Sequence, residues 1–281
     1  MRRGPVAAIG ALTLLTAASL LAPWLLPDDP FAISDVLAKR LVAPLSEDSG
    51  GAFHLLGTDR FGRDLFGRIL LAARISLLVG VVGSLLATVI GIVVGAAAGW
   101  WRGAIDRVLM SLADAMLAIP RLVLLLLCVA LWRPGLLTVV VVLAATGWMS
   151  VARLVRAEVL GLSHRGFVDA ARSLGTSRTA ILARHVIPNA LGPAIVAATL
   201  GVGNAILLES GLAFLGLGVQ PPTPSWGNMI AGGRDLIVTA PWVALVPGCF
   251  LIATVLLCTV LGDAMRDTLA GQRALPLTDR A

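Results

Sequence analysis

Residues 75–101 read ISLLVGVVGSLLATVIGIVVGAAAGWW, a run without a single charged side chain. A helix needs about 20 apolar residues to cross the hydrocarbon core of a bilayer, so this run predicts a membrane-spanning helix. Its glycines recur four residues apart at Gly91, Gly95 and Gly99. Small residues at that spacing let two helices approach closely in lipid, and we expect this helix to pack tightly against a neighbour.

The rest of the chain has the same apolar character. Of its 281 residues, 58% are hydrophobic and only 14% are charged, and the mean hydropathy is +0.92. Soluble domains carry about 25% charged residues, so lipid is the expected solvent. The 22 Lys and Arg outnumber the 16 Asp and Glu, but they lie between apolar runs rather than on one polar face. This excess indicates orientation in a membrane, and we exclude nucleic acid as a partner.

Five further apolar runs are long enough to span a bilayer, which predicts six transmembrane helices and an all-α integral membrane fold. The first, residues 5–26, is longer than the core of a signal peptide, and no clean small-residue cleavage site follows it. These features favour a retained helix over a cleaved signal. The other four runs are residues 108–132, 134–152, 189–217 and 242–262.

The distribution of basic residues orients these spans. With the N-terminus inside, residues 27–74, 133–134 and 218–241 lie outside and carry 8 of the 22 Lys and Arg, leaving 14 inside. Cytoplasmic loops collect basic residues, so both termini are expected to be cytoplasmic. This predicts an N-terminal helix with an extracytoplasmic segment (1–74), a five-helix core (75–270) and a cytoplasmic tail (271–281).

The longest cytoplasmic connection, residues 153–188, predicts two short helices with a turn at Gly175. Thr176 or Ser177 is expected to cap the second helix, and Pro188 to mark the start of the fifth span. One apolar face on the first helix is formed by residues spaced i, i+3, i+4 and i+7: Phe167, Ala170, Ala171 and Leu174. Such a face needs a partner, and the pattern leaves lipid headgroups, the chain's own bundle and another protein open.

Residues 163–188 resemble the EAA loop of ATP-binding-cassette (ABC) importer permeases. The match consists of Asp-Ala-Ala at 169–171 with Gly175 four residues later, followed by Ile-Pro at 187–188. In that family the loop is a coupling helix, which docks into a cleft of the ATPase subunit and passes nucleotide-driven closure to the membrane helices. Asp169 stands where the family usually has Glu, with the same charge on a shorter arm. The resemblance implies these coupling residues: Phe167, Asp169, Ala170, Ala171, Leu174, Gly175, Ile187 and Pro188.

Three further segments narrow the subfamily. LGTDRFGRD at 56–64, FLGLGVQPPTPSWG at 214–227 and LGDAMRD at 261–267 resemble the dipeptide, oligopeptide and nickel permeases. The single N-terminal span with a short outer loop resembles the second, C-type permease of such systems. This resemblance implies the type I ABC importer permease fold, a multi-pass location in the plasma (inner) membrane of a prokaryote, and transport of peptides. Nickel or another small solute is the alternative cargo.

The resemblance also implies an assembly in which this chain is not the enzyme. A second permease, expected to be a different chain, would complete the path, and two ATPase subunits would bind ATP and Mg²⁺. An extracytoplasmic binding protein would deliver the solute, and lipid would surround the spans.

A phosphate-binding loop needs GxxxxGK[ST], whereas the one lysine here, Lys39, is followed by Arg40. We therefore expect no catalytic residue, cofactor or metal in this chain. An ATP-independent channel or carrier, the remote alternative, would not need the 169–188 loop.

Four side chains in or near the spans carry separate predictions. Glu209 lies in an apolar run, where placing a carboxylate costs free energy. We expect it either to act as a gate or pathway group or to form a hydrogen bond between helices. Asp114 and Arg121, seven residues apart, are expected on one helix face near the inner end of the third span, as fold-stabilising or vestibule charges.

Trp226, in the proline-rich loop 220–241, is a candidate contact for a delivered ligand or a binding protein, or part of a rigid surface loop.

Overall fold

A computed structural model describes residues 3–25 and 36–273, so the predicted cytoplasmic tail lies outside the described residues from 274 onward. Two short strands, β1 (Ser46–Glu47) and β2 (Phe53–His54), pair antiparallel with Ser46 opposite His54. The described residues otherwise form twelve α-helices with short connections: α1 (Arg3–Leu25), α2 (Val36–Lys39), α3 (Leu65–Trp101), α4 (Gly103–Leu117), α5 (Arg121–Ala130), α6 (Leu136–Ala145), α7 (Trp148–Leu162), α8 (Gly166–Ser173), α9 (Arg178–Ile181), α10 (Ile187–Phe214), α11 (Trp226–Gly233) and α12 (Trp242–Arg273).

Helix length and apolarity confirm the all-α membrane architecture. Within the described ranges, five helical segments can cross a membrane, and the α4–α5 pair makes a sixth if its two helices count as one span. The predicted cytoplasmic location of both termini stays a prediction. The five segments are Gly4–Trp24, Leu65–Trp101, Leu136–Leu162, Arg178–Phe214 and Trp242–Leu269.

The third span is broken, and one prediction fails as a result. Helix α4 ends at Leu117, α5 begins at Arg121, and the two are bent by 92°. Pro120 explains the break, because proline lacks an N–H and disfavours helical backbone at the residue before it. The prediction that Asp114 and Arg121 share one helix face is therefore wrong.

The fifth span starts earlier than predicted. A continuous helical segment runs from Arg178 through a π-helical turn, Leu182–Val186, into α10. Pro188 therefore does not begin the helical segment but lies two residues after this turn, and its position at the entry to the membrane stays a prediction. The wider π turn lets the helix continue where the proline ring replaces an N–H.

The glycines of α3 confirm the predicted close packing. A Cβ on Gly91 would lie 2.6 Å from the Cβ of Val151, and one on Gly99 would lie 3.0 Å from the Cβ of Val159. Between them, Gly95 faces the backbone of Ala152. Helices α3 and α7 thus approach to backbone distance, which only residues without a side chain allow.

The chain divides into two compact units. The first comprises the described parts of Met1–Val82, Leu126–Val140 and Val202–Cys258. The second comprises Gly83–Leu125, Val141–Gly201 and the described part of Thr259–Ala281. The first unit contains the GTD segment (residues 56–64) and the proline-rich loop (residues 220–241), and the second contains the coupling loop (residues 163–188). Each unit has its own cluster of buried apolar side chains.

Candidate functional site

Helix α8 of the coupling loop leaves most of its predicted apolar face uncovered by the described residues. The side chain of Leu174 is 85% exposed, that of Phe167 is 42% exposed, and Ala170 is also exposed. The opposite side of α8 is anchored, because Val168 is fully buried and Ala171 packs against the second unit's apolar cluster. The helix is therefore held in place while it presents apolar groups outward.

The turn after α8 is a Schellman motif, which ends a helix with a residue in the left-handed region. The N–H of Gly175 donates to the carbonyl of Arg172 at 2.9 Å, and the N–H of Thr176 donates to that of Ala171 at 3.1 Å. Gly175 has a φ of +77°, and a Cβ there would meet no described atom within 4 Å. The requirement for glycine is therefore conformational rather than steric.

The second helix of the loop begins at a capped residue and continues into the membrane. The Ser177 hydroxyl accepts a hydrogen bond from the N–H of Ala180 at 3.4 Å, so Ser177 is the cap among the two predicted candidates. Ile187 is half-buried against the second unit's apolar cluster, and Pro188 is exposed. The helical segment that starts at Arg178 continues to Phe214.

The charged residues of α8 remain accessible. Asp169 lies in the first turn of α8, where the helix dipole favours a negative charge. Its carboxylate accepts a hydrogen bond from Arg172 Nη1 at 3.2 Å, three residues further on, and both side chains are largely exposed. The Arg172 guanidinium also lies 6.0 Å from the ring centroid of Trp100. Exposed pairs of this kind contribute little to stability.

Two arginines of α7 pair with carboxylates of α4, an arrangement that sequence reasoning missed. Arg156 donates to both carboxylate oxygens of Asp106, at 2.5 and 2.7 Å, and Arg153 donates to Asp114. The two-pronged geometry of the first pair is the strongest form of an arginine–carboxylate contact. The Arg153–Asp114 pair is exposed and contributes little to stability, and no local pattern links Asp114 to a partner 39 residues away.

Glu209 is fully buried within α10 of the first unit. One carboxylate oxygen, Oε2, lies 3.4 Å from the Ser210 hydroxyl, and Oε1 has no hydrogen-bond partner among residues 3–25 and 36–273. No ion pair of the described chain involves Glu209. The gate interpretation and the hydrogen-bond interpretation both stay predictions.

Trp226 lies in the core of the first unit rather than on a loop surface. Its side chain is fully buried, and its backbone N–H donates to the Ser76 hydroxyl of α3 at 3.2 Å. It begins α11, whose N-terminus is capped by Ser225 together with Asn228. The proline-rich loop thus contains a helix that sequence reasoning missed, and the predicted contact of Trp226 with a ligand or binding protein stays a prediction.

The GTD segment is held together by its own polar residues. Asp59 Oδ1 accepts from the N–H groups of Phe61 and Arg63 at 2.8 and 3.0 Å, and Oδ2 pairs with Arg63 at 2.7 Å and with Arg68 at 3.7 Å. The Thr58 hydroxyl donates to the carbonyl of Lys39 at 2.6 Å and accepts from the N–H of Val42 at 2.8 Å. The motif that suggested the subfamily therefore builds local structure.

Comparison with known proteins supports the resemblance. The family described as "Binding-protein-dependent transport system inner membrane component" matches residues 91–271. The di/tripeptide transport system permease protein DppC of Pseudomonas aeruginosa (strain UCBPP-PA14) is 40% identical over 268 residues, which cover 95% of this chain and 88% of that protein. The oligopeptide transport system permease protein OppC of Bacillus subtilis (strain 168) is 38% identical over 216 residues, covering 77% and 71%.

A solved structure has the same fold. A chain of the MetNI methionine ABC transporter, in an inward-facing conformation, matches with a TM-score of 0.60 at 20% identity. The match covers 72% of this chain and 97% of that chain. At this identity the likeness concerns the fold alone, and it confirms the predicted type I ABC importer permease fold.

Proposed function

Because the chain belongs to the family of binding-protein-dependent transport system inner membrane components, we propose that it forms half of the transmembrane path of an ATP-driven peptide importer. The names of its relatives DppC and OppC support di-, tri- or oligopeptides as the cargo. Import of nickel or another small solute by the same kind of assembly is the second candidate, carried by the resemblance of the GTD segment to nickel permeases.

The exposed apolar face of α8 is the observation that carries this proposal. Phe167, Ala170 and Leu174 lie outward on a helix whose other side is anchored. Fully burying one large apolar side chain stabilises a contact by about 1.5–3 kcal/mol, so docking in the cleft of an ATPase subunit would be favourable. The carboxylate of Asp169 and the Gly175 turn border the same face. Closure of the ATPases would then move the helical rod that starts at Arg178.

The remaining parts of the assembly belong to the same proposal. A second, different permease completes the path, and two ATPase subunits bind ATP and Mg²⁺, so this chain needs no nucleotide site. A binding protein delivers the solute at the outer face, and the complex lies in the plasma membrane of a prokaryote with both termini of this chain in the cytoplasm. Residues 1–74 form the N-terminal and extracytoplasmic part, 75–270 the translocating core and 271–281 the tail. Glu209 is a candidate gate and Trp226 a candidate outer contact.

Purification of the complex from native membranes in mild detergent tests the proposal. Leu174→Glu should abolish co-purification of the ATPase subunits, because it places a charge in the apolar contact. Val238→Glu is the matched control, since Val238 is also highly exposed (90%) but lies in the proline-rich loop. ATPases retained by the Leu174 variant, or lost equally from both variants, would contradict the docking of α8. Recovery of the wild-type chain alone would contradict the importer itself.

A further inference from the structure

A cavity of about 160 Å³ in the second unit lies where two apolar helices are interrupted. Pro120 and Arg121 line it at the break between α4 and α5, and Thr146 and Gly147 line it at the break between α6 and α7. We refer to it as the Arg121 cavity. Non-helical backbone at membrane depth is tolerated where it lines a cavity, and such cavities in transporters are often binding sites.

The cavity holds a positive charge that the described residues do not neutralise. Arg121 Nε is buried and has no hydrogen-bond partner in the described chain, and Arg121 takes part in none of its ion pairs. Among the described residues no Asp or Glu lines the cavity. The acidic residue closest in sequence, Asp114, bonds Arg153 instead. An ionisable side chain within a span is expensive and normally has a partner, and the described residues supply none for Arg121.

The surroundings of Arg121 are suited to an anion. Its Nη2 lies 2.9 Å from where a Cβ on Gly147 would be, so the absence of that side chain makes room for the guanidinium. Helix α5 begins at Arg121 itself and α7 begins at Trp148, and a helix N-terminus carries unpaired N–H groups and partial positive charge. Ser150, whose hydroxyl is able to donate, also lines the cavity. The guanidinium, however, is the group that points to a ligand.

Helix length places this cavity away from lipid headgroups. Helices α5 and α6 are each 10 residues long. At 1.5 Å per residue each covers about 15 Å, which is half of the roughly 30 Å hydrocarbon core. The short connection 131–135 joins their far ends, and a connection at the membrane surface would put both breaks about halfway through the membrane. An oxyanion at this depth comes from the translocated solute more readily than from a lipid phosphate.

We propose that Arg121, with the N-termini of α5 and α7, forms a subsite for the carboxylate of the solute during translocation. This inference rests on the proposed import function and assigns the solute a chemical class. Every peptide with a free C-terminus carries such a carboxylate. The cavity is smaller than the roughly 300 Å³ at which pockets for whole ligands begin, so it accommodates the carboxylate end alone.

The test uses the complete transporter, reconstituted in phosphatidylcholine vesicles, and compares uptake of dialanine with that of dialanine amide. Arg121→Gln should raise the KM for dialanine about tenfold, because the loss of one charge-assisted hydrogen bond weakens binding by about that factor. The KM for the amide should not change. Arg121→Lys should restore most of the affinity. Arg133→Gln is the matched control, because Arg133 is an exposed arginine in the connection between α5 and α6 and should change neither KM.

Several outcomes would overturn the subsite. An equal loss for both peptides would indicate a structural role for Arg121, and no loss for either would show that it binds nothing. An effect that appears only when phosphatidylglycerol is added, and equally for both peptides, would identify a lipid phosphate as the ligand.

If the wild-type complex transports neither peptide, the proposed peptide cargo fails while the subsite is still tested by binding. Sodium propionate should then raise the unfolding temperature of the purified wild-type complex but not that of Arg121→Gln. Equal shifts in both proteins, or none in either, would overturn the subsite.

Discussion

The coupling loop and the GTD segment both carry motif residues, but they use them in opposite ways. In the GTD segment, Asp59 is buried, and its carboxylate is occupied by two backbone N–H groups and two arginines. In the coupling loop, Leu174 is almost fully exposed and Asp169 pairs only with an exposed neighbour on its own helix. The first motif is satisfied within the chain, whereas the second leaves surface for a partner.

This difference separates residues that stabilise the folded chain from residues that are available to contact a partner. A buried charge without its partners costs free energy, so an occupied carboxylate such as that of Asp59 indicates a structural role. An exposed apolar side chain on an anchored helix contributes little to folding and gains from burial only when another protein covers it. The following substitutions test the comparison, beginning with the largest expected effect.

Asp59→Asn should destabilise the protein by about 3–5 kcal/mol, because it leaves buried arginines without their carboxylate. Thermal unfolding of the purified protein in detergent measures this loss. The control is Asp235→Asn, which removes an equally short-range but exposed pair with Arg234 and should change stability by less than about 1 kcal/mol. Equal effects of the two substitutions would show that the GTD segment does not depend on its buried carboxylate.

Gly175→Val should cost about 1–2 kcal/mol of stability, because a β-branched residue is strained in the left-handed region. Its larger consequence should be functional, with solute uptake lost while the protein remains in the membrane. Gly161→Val is the matched control, since Gly161 lies in α7 with equally open space but without a positive φ. Gly175→Asn should retain uptake, because asparagine tolerates this conformation. Unchanged transport by Gly175→Val would contradict the coupling turn.

Asp48, which His54 links to Asp64 of the GTD segment, should make the stability of the first unit depend on pH. The N–H of Ala52 donates to Asp48 and holds the pKa of that carboxyl below its usual value, with further lowering by Gly50, His54 and Lys39 against the opposing effect of burial. A lowered pKa in the folded state stabilises the protein above the unfolded value of about 3.9 and ceases to do so as the pH falls through the folded value. Unfolding temperatures of wild type and Asp48→Asn should therefore differ at pH 6 and converge below about pH 4. A constant difference would contradict this assignment.

Arg172→Ala should have the smallest effect on stability. The ion pair of Arg172 with Asp169 is exposed and three residues apart on one helix, so its loss should cost less than about 0.5 kcal/mol. The same thermal unfolding measurement checks this. A loss above about 2 kcal/mol would show that the coupling loop, like the GTD segment, depends on its charges for folding.

Several features could be read from the sequence because they depend on neighbours along the chain. The length of apolar runs predicted the spans, and the four-residue glycine spacing predicted the contact that α3 makes with Val151, Ala152 and Val159. The turn at Gly175, and a cap at Thr176 or Ser177, were predicted for the same reason, since a turn is formed by consecutive residues, and the structure selects Ser177 as the cap. The family resemblance rested on such local patterns.

Other features were decided by residues that are distant in the sequence. Trp226 looked like a surface residue of a proline-rich loop, but it is buried in the first unit's apolar cluster, and its backbone N–H donates to Ser76, 150 positions earlier. Asp114 and Arg121 looked like neighbours on one helix, but the 92° bend at Pro120 separates them and gives Asp114 a partner on α7. Hydropathy cannot reveal these pairings, because burial and hydrogen bonding depend on which helices meet.

Composition and residue spacing alone predicted six apolar spans and a long polar connection with a turn at Gly175, since the bilayer selects local apolar length and the turn selects glycine. The coupling role of that connection was implied only by the family resemblance and stays a prediction. Packing in three dimensions decided which charged side chains form ion pairs and which have no partner among the described residues. Asp59, Asp106 and Asp114 each found arginine partners, while Arg121 faces a cavity with no acidic partner among the described residues. The free energy of a charge depends on everything around it, and only the folded chain defines those surroundings.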